Sequence, residues 1–308
     1  MDIQILISRM TVLFLVIFLG YFIYKIKLVD DNFVKKFTKL ILDVTLPAMI
    51  LASVLKLEER QAVSDVITAL AVSSALFFVV LPIFGWLLAK ALFVKKGSVG
   101  LYTFMTSYSN IGFMGMPVLG ALYGNTGLFY AAIFNLVFNI AIYSIGIWIM
   151  NRDSSTPKRF DPKSLLHPGI IVAFLSICFY FTGLECPVVI ADTVDTIGSI
   201  TSPAAMILIG CSLAKMDVKS VFSEWRLYPW TILKQLAVPL LLWLPFTWII
   251  KNELLLNVTY ILTGMPVANT SVLFATNFGG DDKLAAKSVF LTTLISLVTV
   301  PVIIMIVT

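Results

Sequence analysis

Two polar clusters sit inside long apolar runs, and their side chains are suited to hold a small ligand. The first is Asn110, followed by Ile111-Gly112-Phe113-Met114-Gly115-Met116-Pro117; the second is Asn269-Thr270-Ser271, after Gly264-Met265-Pro266. An amide donates and accepts at once, and a hydroxyl does so on a smaller scale, so both clusters suit a carboxylate or a carbonyl. Asn110 could equally cap the helix that follows it. Asn135 and Asn139 are one helical turn apart, share a face, and suit hydrogen bonds to a neighbouring span better than a ligand. Asp43 lies one turn ahead of Pro47. An ionisable group inside a span is a functional candidate, here a proton carrier, unless it only pairs with nearby Lys39. Asp192 and Asp195 lie nearer a span's outer edge and read as solvated. No Lys or Arg falls at the centre of any expected span, so an anion would be held by helix N-termini, amides and hydroxyls. No metal-ligand cluster, phosphate loop or nucleophile–base pair is legible, which argues against an enzyme, a cofactor and a self-sufficient pump. The single His167 abuts Pro168 and reads as interfacial; Cys178, Cys186 and Cys211 read as small core residues.

The elements that must position these groups are membrane helices. The chain has 308 residues, 59% hydrophobic and only 13% charged. A soluble domain carries roughly 25% charged residues. The apolar segments are long enough to cross a hydrocarbon core as helices, and the alternating pattern of an outer-membrane barrel is absent. Ten spans are expected, near 5–25, 33–55, 65–92, 99–122, 127–150, 168–184, 188–214, 228–250, 254–278 and 284–307. Pro117 should break the fourth, because it lacks an N–H and its ring presses on the carbonyl four residues back. Gly112 and Gly115 soften the same stretch. Pro82, Pro239 and Pro245 should kink their spans without breaking them. The polar stretch 151–167 reads as a linker between a five-span half at 1–150 and a second at 168–308.

Charge orients the array. With the N-terminus outside, 18 of the 22 Lys and Arg fall on the inside, Lys234 among them, and only Arg9, Lys56, Arg60 and Lys251 remain outside. That asymmetry places the linker in the cytoplasm and both termini outside. The net charge of +5 reflects these loop cations and gives no reason to expect nucleic acid. The N-terminal apolar stretch has no basic leader and no small-residue cleavage site, so it reads as a retained first span.

Five spans per half means that the halves insert in opposite senses, and an inverted repeat should be visible. Ala48-Met49-Ile50-Leu51 after Pro47 reappears as Ala205-Met206-Ile207-Leu208 after Pro203. Tyr123-Gly124 has a counterpart in Phe278-Gly279, 155 residues on, which sets Pro117 beside Ser271–Val272 rather than Pro266.

These segments, with Leu46-Pro47, Tyr108-Ser109-Asn110 through Pro117, Ser202-Pro203-Ala204-Ala205-Met206 and Met265-Pro266 through Phe274-Ala275, resemble the auxin efflux carrier family, bacterial relatives of the plant PIN-type carriers. The resemblance covers essentially all ten spans. It implies an all-α polytopic membrane protein built as a 5+5 inverted repeat with broken, crossing helices four and nine. It implies a scaffold of spans one, two, six and seven and a moving transport domain of spans three to five and eight to ten. It also implies a substrate pocket at Asn110 and Leu46, with Pro47, Ile111, Gly112, Pro117, Ser202, Pro203, Asn269, Thr270 and Ser271 around it. The second PIN-type crossover proline is replaced here by Ser271, and the long hydrophilic loop of the plant carriers is missing.

The resulting expectation is a secondary transporter of small organic anions, mono- or dicarboxylates such as malate or malonate, in the inner (plasma) membrane with elevator-type alternating access. The rivals are export of a larger amphipathic or auxin-like acid and a non-transporting receptor on the same fold. The expected partners are the anion and the lipid bilayer. Coupling to a proton or sodium ion and assembly as a homodimer stay open. An inside-negative potential of 100 mV favours efflux of a monoanion by about 2.3 kcal/mol, so export needs no coupling ion.

Overall fold

The computed structural model describes residues 3–57, 59–152, 168–184, 186–215, 224–278 and 280–307; the expected linker and His167 lie outside them. The described residues form helices and no β-sheet. We name them α1 (Ile3–Lys25), α2 (Asp31–Leu55), α3 (Val63–Ala91), α4 (Val99–Ser107), α5 (Ile111–Asn151), α6 (Pro168–Thr182), α7 (Val188–Ala214), α8 (Leu227–Ile249), α9 (Glu253–Gly264), α10 (Thr270–Phe278) and α11 (Asp282–Val307). Six of them, α2, α3, α5, α7, α8 and α11, are long and apolar enough to cross a membrane. The apolar parts of α1 and α6 are shorter, and two expected spans are each broken in two. Gly124, at φ +58°, bends α5 where the turn between spans four and five was expected, a conformation that glycine reaches without strain.

Pro82, Pro239 and Pro245 leave their helices unbroken, as expected, but Pro117 acts differently from the expectation. Pro47, Pro82, Pro117 and Pro239 each follow a wide, π-helical turn, at 41–45, 76–80, 111–115 and 233–237, by two residues. A widened turn moves the carbonyl four residues back away from the proline ring, so the helix continues. Pro117 therefore does not break its span. The break lies upstream at Tyr108–Asn110, and Pro117 sits inside continuous α5. A fifth wide turn, at 142–146, is followed by no proline.

The chain forms two compact units, each drawn from both sequence halves: residues 1–69, 111–136 and 163–215, and residues 70–110, 137–162 and 216–308. In the first, α1 packs along α7 and α6 packs along α2. The α1–α7 approach is so close that a methyl on Gly20 would overlap the Ile207 carbonyl, and one on Gly210 the Ile17 carbonyl. Small residues permit such backbone approach where lipid supplies no hydrophobic drive. Near the two repeated Pro–Ala–Met stretches α2 and α7 cross, and a Cβ on Gly198 would come within 2.7 Å of Met49 Cα. Asp192, expected to be merely solvated, pairs with Lys56.

In the second unit α3 lies against α4, with a Gly85 Cβ placed 2.8 Å from the Thr103 oxygen. An aromatic cluster of Phe77, Phe104, Tyr108 and Phe138 fills its interior through edge and tilted contacts. Trp230 stands edge-on to Tyr102 and donates to Thr106 Oγ1 at 3.0 Å, which docks α8 on α4.

Candidate functional site

Two chain breaks meet inside the second unit. After α4 the chain leaves the helix at Tyr108–Asn110, and after α9 it does so at Met265–Asn269. The two segments pair as a short antiparallel bridge between Ser109 and Val267. Asn110 N–H donates to Pro266 O at 2.8 Å and Ala268 N–H to Tyr108 O at 3.4 Å. Each break thus satisfies part of the other's backbone, which hydrocarbon could not do. Thr292 of α11 completes the support, its Oγ1 accepting from Val267 N–H at 3.1 Å.

The residue that sequence reasoning missed lies at the centre of this crossing. Lys234, in the wide turn ahead of Pro239, is 1% exposed. Its ammonium donates to Ser109 Oγ at 2.9 Å and to the Met265 carbonyl. Lys234, expected among the loop cations, is therefore buried within α8. Lys234 also leaves the inside charge count, which falls from 18 to 17 against 4 and keeps its sense. Its neighbour Gln235 is 0% exposed; its Nε2 donates to Thr292 O at 2.9 Å and its Oε1 accepts from Thr299 Oγ1 at 3.3 Å. A signal was available: Lys234-Gln235 stands inside the expected span 228–250, five and four residues before Pro239.

The electrostatics follow from the helix ends. Ser109 lies just beyond the C-terminus of α4 and Met265 just beyond that of α9. Each end carries about half a negative charge. Without a cation, the crossing would present converging carbonyls and repel an anion. Lys234 offsets those ends, and no carboxylate pairs with it among the described residues. Opposite in sign, the N-terminus of α10 begins at Thr270, and Ser271 is 0% exposed. The hydroxyls of Thr270 and Ser271 are buried and have no hydrogen-bond partner among the described residues. Buried polar groups left unpaired are costly, so unpaired hydroxyls beside a helix N-terminus suit an anionic guest.

The expected site residues fall into two groups. Asn110 (5% exposed), Asn269, Thr270 and Ser271 belong to the second unit with Lys234. Leu46, Pro47, Ile111, Gly112, Pro117, Ser202 and Pro203 belong to the first. There, Gly112 faces Leu46, whose Cδ2 would be 3.8 Å from an added Cβ, and Ser202 Oγ lies 3.9 Å from Met49 Sδ. Thr45 and Thr201, two residues ahead of Pro47 and Pro203, carry buried hydroxyls with no partner among the described residues. Asp43 is half-buried within its wide turn, Asn135 is buried and Asn139 half-buried. The cysteines are free, and only Cys211 is buried, so the core reading fails for exposed Cys178.

A family described as membrane transport protein matches residues 5–162 and 158–304. The chain belongs to this family, the auxin efflux carriers. Similar proteins include an uncharacterized transporter of Methanocaldococcus jannaschii, 25% identical over 297 residues and 94% of each chain. An uncharacterized transporter of Escherichia coli, YfdV, is 25% identical over 296 residues, 93% of this chain and 92% of its own. A Rhizobium meliloti protein named "Putative malonate transporter" is 22% identical over 230 residues, 71% of each chain. The family and the apolar helices make this a multi-pass membrane protein of a transport family.

Proposed function

We propose that the protein is a secondary transporter, and not an enzyme, for small organic anions of the mono- or dicarboxylate class, malonate and malate among them. The observation that carries this reading is Lys234, a buried ammonium held by neutral partners where two helix C-termini converge. In the proposed site Lys234 sets the sign of the crossing, Asn110 is the main polar contact from the first half, and Asn269, Thr270 and Ser271 supply amide and hydroxyl groups from the second. The name of the Rhizobium relative supports a short dicarboxylate.

The same proposal includes ten spans as a 5+5 inverted repeat. Support comes from the reciprocal packing of α1 on α7 and α6 on α2, which an inversion of two equivalent halves requires. Two further spans arise if α4 with the start of α5, and α9 with α10, count as broken crossings. Spans one, two, six and seven serve as scaffold and the rest as transport domain in elevator-type alternating access. The charge distribution supports the inner membrane, with both termini outside.

Uptake of labelled malonate and malate into proteoliposomes tests the reading, with Lys234→Gln beside the wild type. Glutamine keeps a donor for Ser109 and Met265 but removes the charge. The expected result is saturable uptake by the wild type and loss of at least about tenfold in affinity in the variant, since a charge-assisted hydrogen bond contributes roughly 1.5–3 kcal/mol. Wild-type affinity in Lys234→Gln would remove the basis for an anion site here.

A further inference from the structure

A groove of about 680 Å³ runs along the second unit between α3, α4 and the end of α5. It exists because of local sequence. The wide turn at 76–80 precedes Pro82 on one wall, and Gly85 lets the following part of α3 close onto Thr103. The walls are apolar: Phe78, Ile83 and Ile145 line the length of the groove. Ile83 remains 51% exposed and Trp148 60% exposed, so no described helix covers this face.

One end has a different character. Lys90, Lys96 and Arg152 all line the groove, and among the described residues no acidic one does. All three side chains are exposed. Lys90 stands 5.7 Å over the Trp86 ring and Arg152 5.5 Å over the Trp148 ring. Tryptophans with stacked cations mark the depth where acyl chains give way to headgroups. None of the three cations makes an ion pair among the described residues. Three cations without an ion pair among the described residues, at the mouth of an apolar groove, complement one molecule with both features, a lipid whose headgroup is a net-negative phosphate.

We propose that this groove binds an anionic phospholipid, with its phosphate between Lys90, Lys96 and Arg152 and an acyl chain along Phe78, Ile83 and Ile145. The site is separate from the crossing and rests only on the protein's lying in a membrane. A free phosphate would satisfy the cations and leave the apolar length unused; the lipid uses both.

The test is native mass spectrometry of the full chain in neutral detergent, titrated with phosphatidylglycerol or phosphatidylcholine of the same acyl chains. Three basic groups near a membrane surface favour the anionic lipid by roughly a hundredfold, and one such group by about fivefold. Lys96→Gln should therefore cost about fivefold in retention of phosphatidylglycerol, and Lys96→Gln with Arg152→Gln about twenty-five-fold. Lys35→Gln and Lys36→Gln, on exposed positions of α2, should cost nothing. Equal retention of the two lipids overturns the proposal. So does an equal loss in the α2 variants, which would mean diffuse attraction to basic surface. A third arm adds inorganic phosphate at millimolar concentration. Displacement of phosphatidylglycerol by phosphate alone would make this a free-phosphate site, and the lipid assignment would fail.

Discussion

At the scale of single residues, the crossing depends on side chains whose partners are few and neutral. Asn110 is buried, and its backbone is already committed to Pro266, so replacing its side chain leaves the bridge intact. Asn110→Ala should weaken binding of malonate about tenfold, as loss of one hydrogen bond to a charged group does. Thermal unfolding without substrate should shift far less than the stabilisation by substrate. Strong loss of stability with intact affinity would make Asn110 a cap. Asp43 has a narrower test. If transport is proton-coupled through it, Asp43→Asn should flatten the pH dependence of uptake while binding persists; unchanged pH dependence assigns the coupling elsewhere. The polar residues of the second unit were legible because amides and hydroxyls beside Gly and Pro stand out in apolar sequence. Lys234 was not. Its type assigned it to a loop in a count of charges, whereas it is buried beside Gln235 in the wide turn ahead of Pro239.

At the scale of elements, four wide turns each absorb a proline two residues later. That regularity explains why the break read from Pro117 comes out misplaced. The sequence shows where a regular α-helix fails, but not whether the failure is a gap or one enlarged turn. Pro239→Ala restores the missing donor and permits regular winding through 233–237. One residue of re-registration turns a side chain by about 100°. Lys234 would leave the crossing, so uptake should fall to the Lys234→Gln level while thermal stability holds or rises; unaltered uptake would show the turn to be set by packing instead. The contact of α1 with α7 makes a simpler case. Gly210→Leu must displace backbone rather than a flexible side chain. Its cost should be at least the roughly 1–3 kcal/mol of an overpacked core, read as a lower unfolding temperature in detergent. A wild-type midpoint would mean that the two helices separate freely.

At the scale of the whole molecule, the charge distribution makes the clearest claim. With the linker in the cytoplasm, a cysteine placed at Ser155 should resist a membrane-impermeant thiol reagent in intact cells and react after lysis. Labelling from outside would reverse the orientation and with it the reading of the basic groove. Composition and hydropathy made the membrane class legible. The two compact units were not, because each collects segments from both halves and no linker marks their limits. The bridge between Ser109 and Val267 carries a consequence for biosynthesis. The backbone at Asn110 is translated 156 residues before its acceptor at Pro266. At roughly 5–20 residues per second, that leaves about 8–30 s in which polar main chain from the first crossing has no native partner. A nascent chain paused before residue 266 should be held by the insertion machinery or an aqueous vestibule rather than released into lipid. A nonsense mutation in α9 should yield a fragment destroyed at the membrane, not a stable half-carrier.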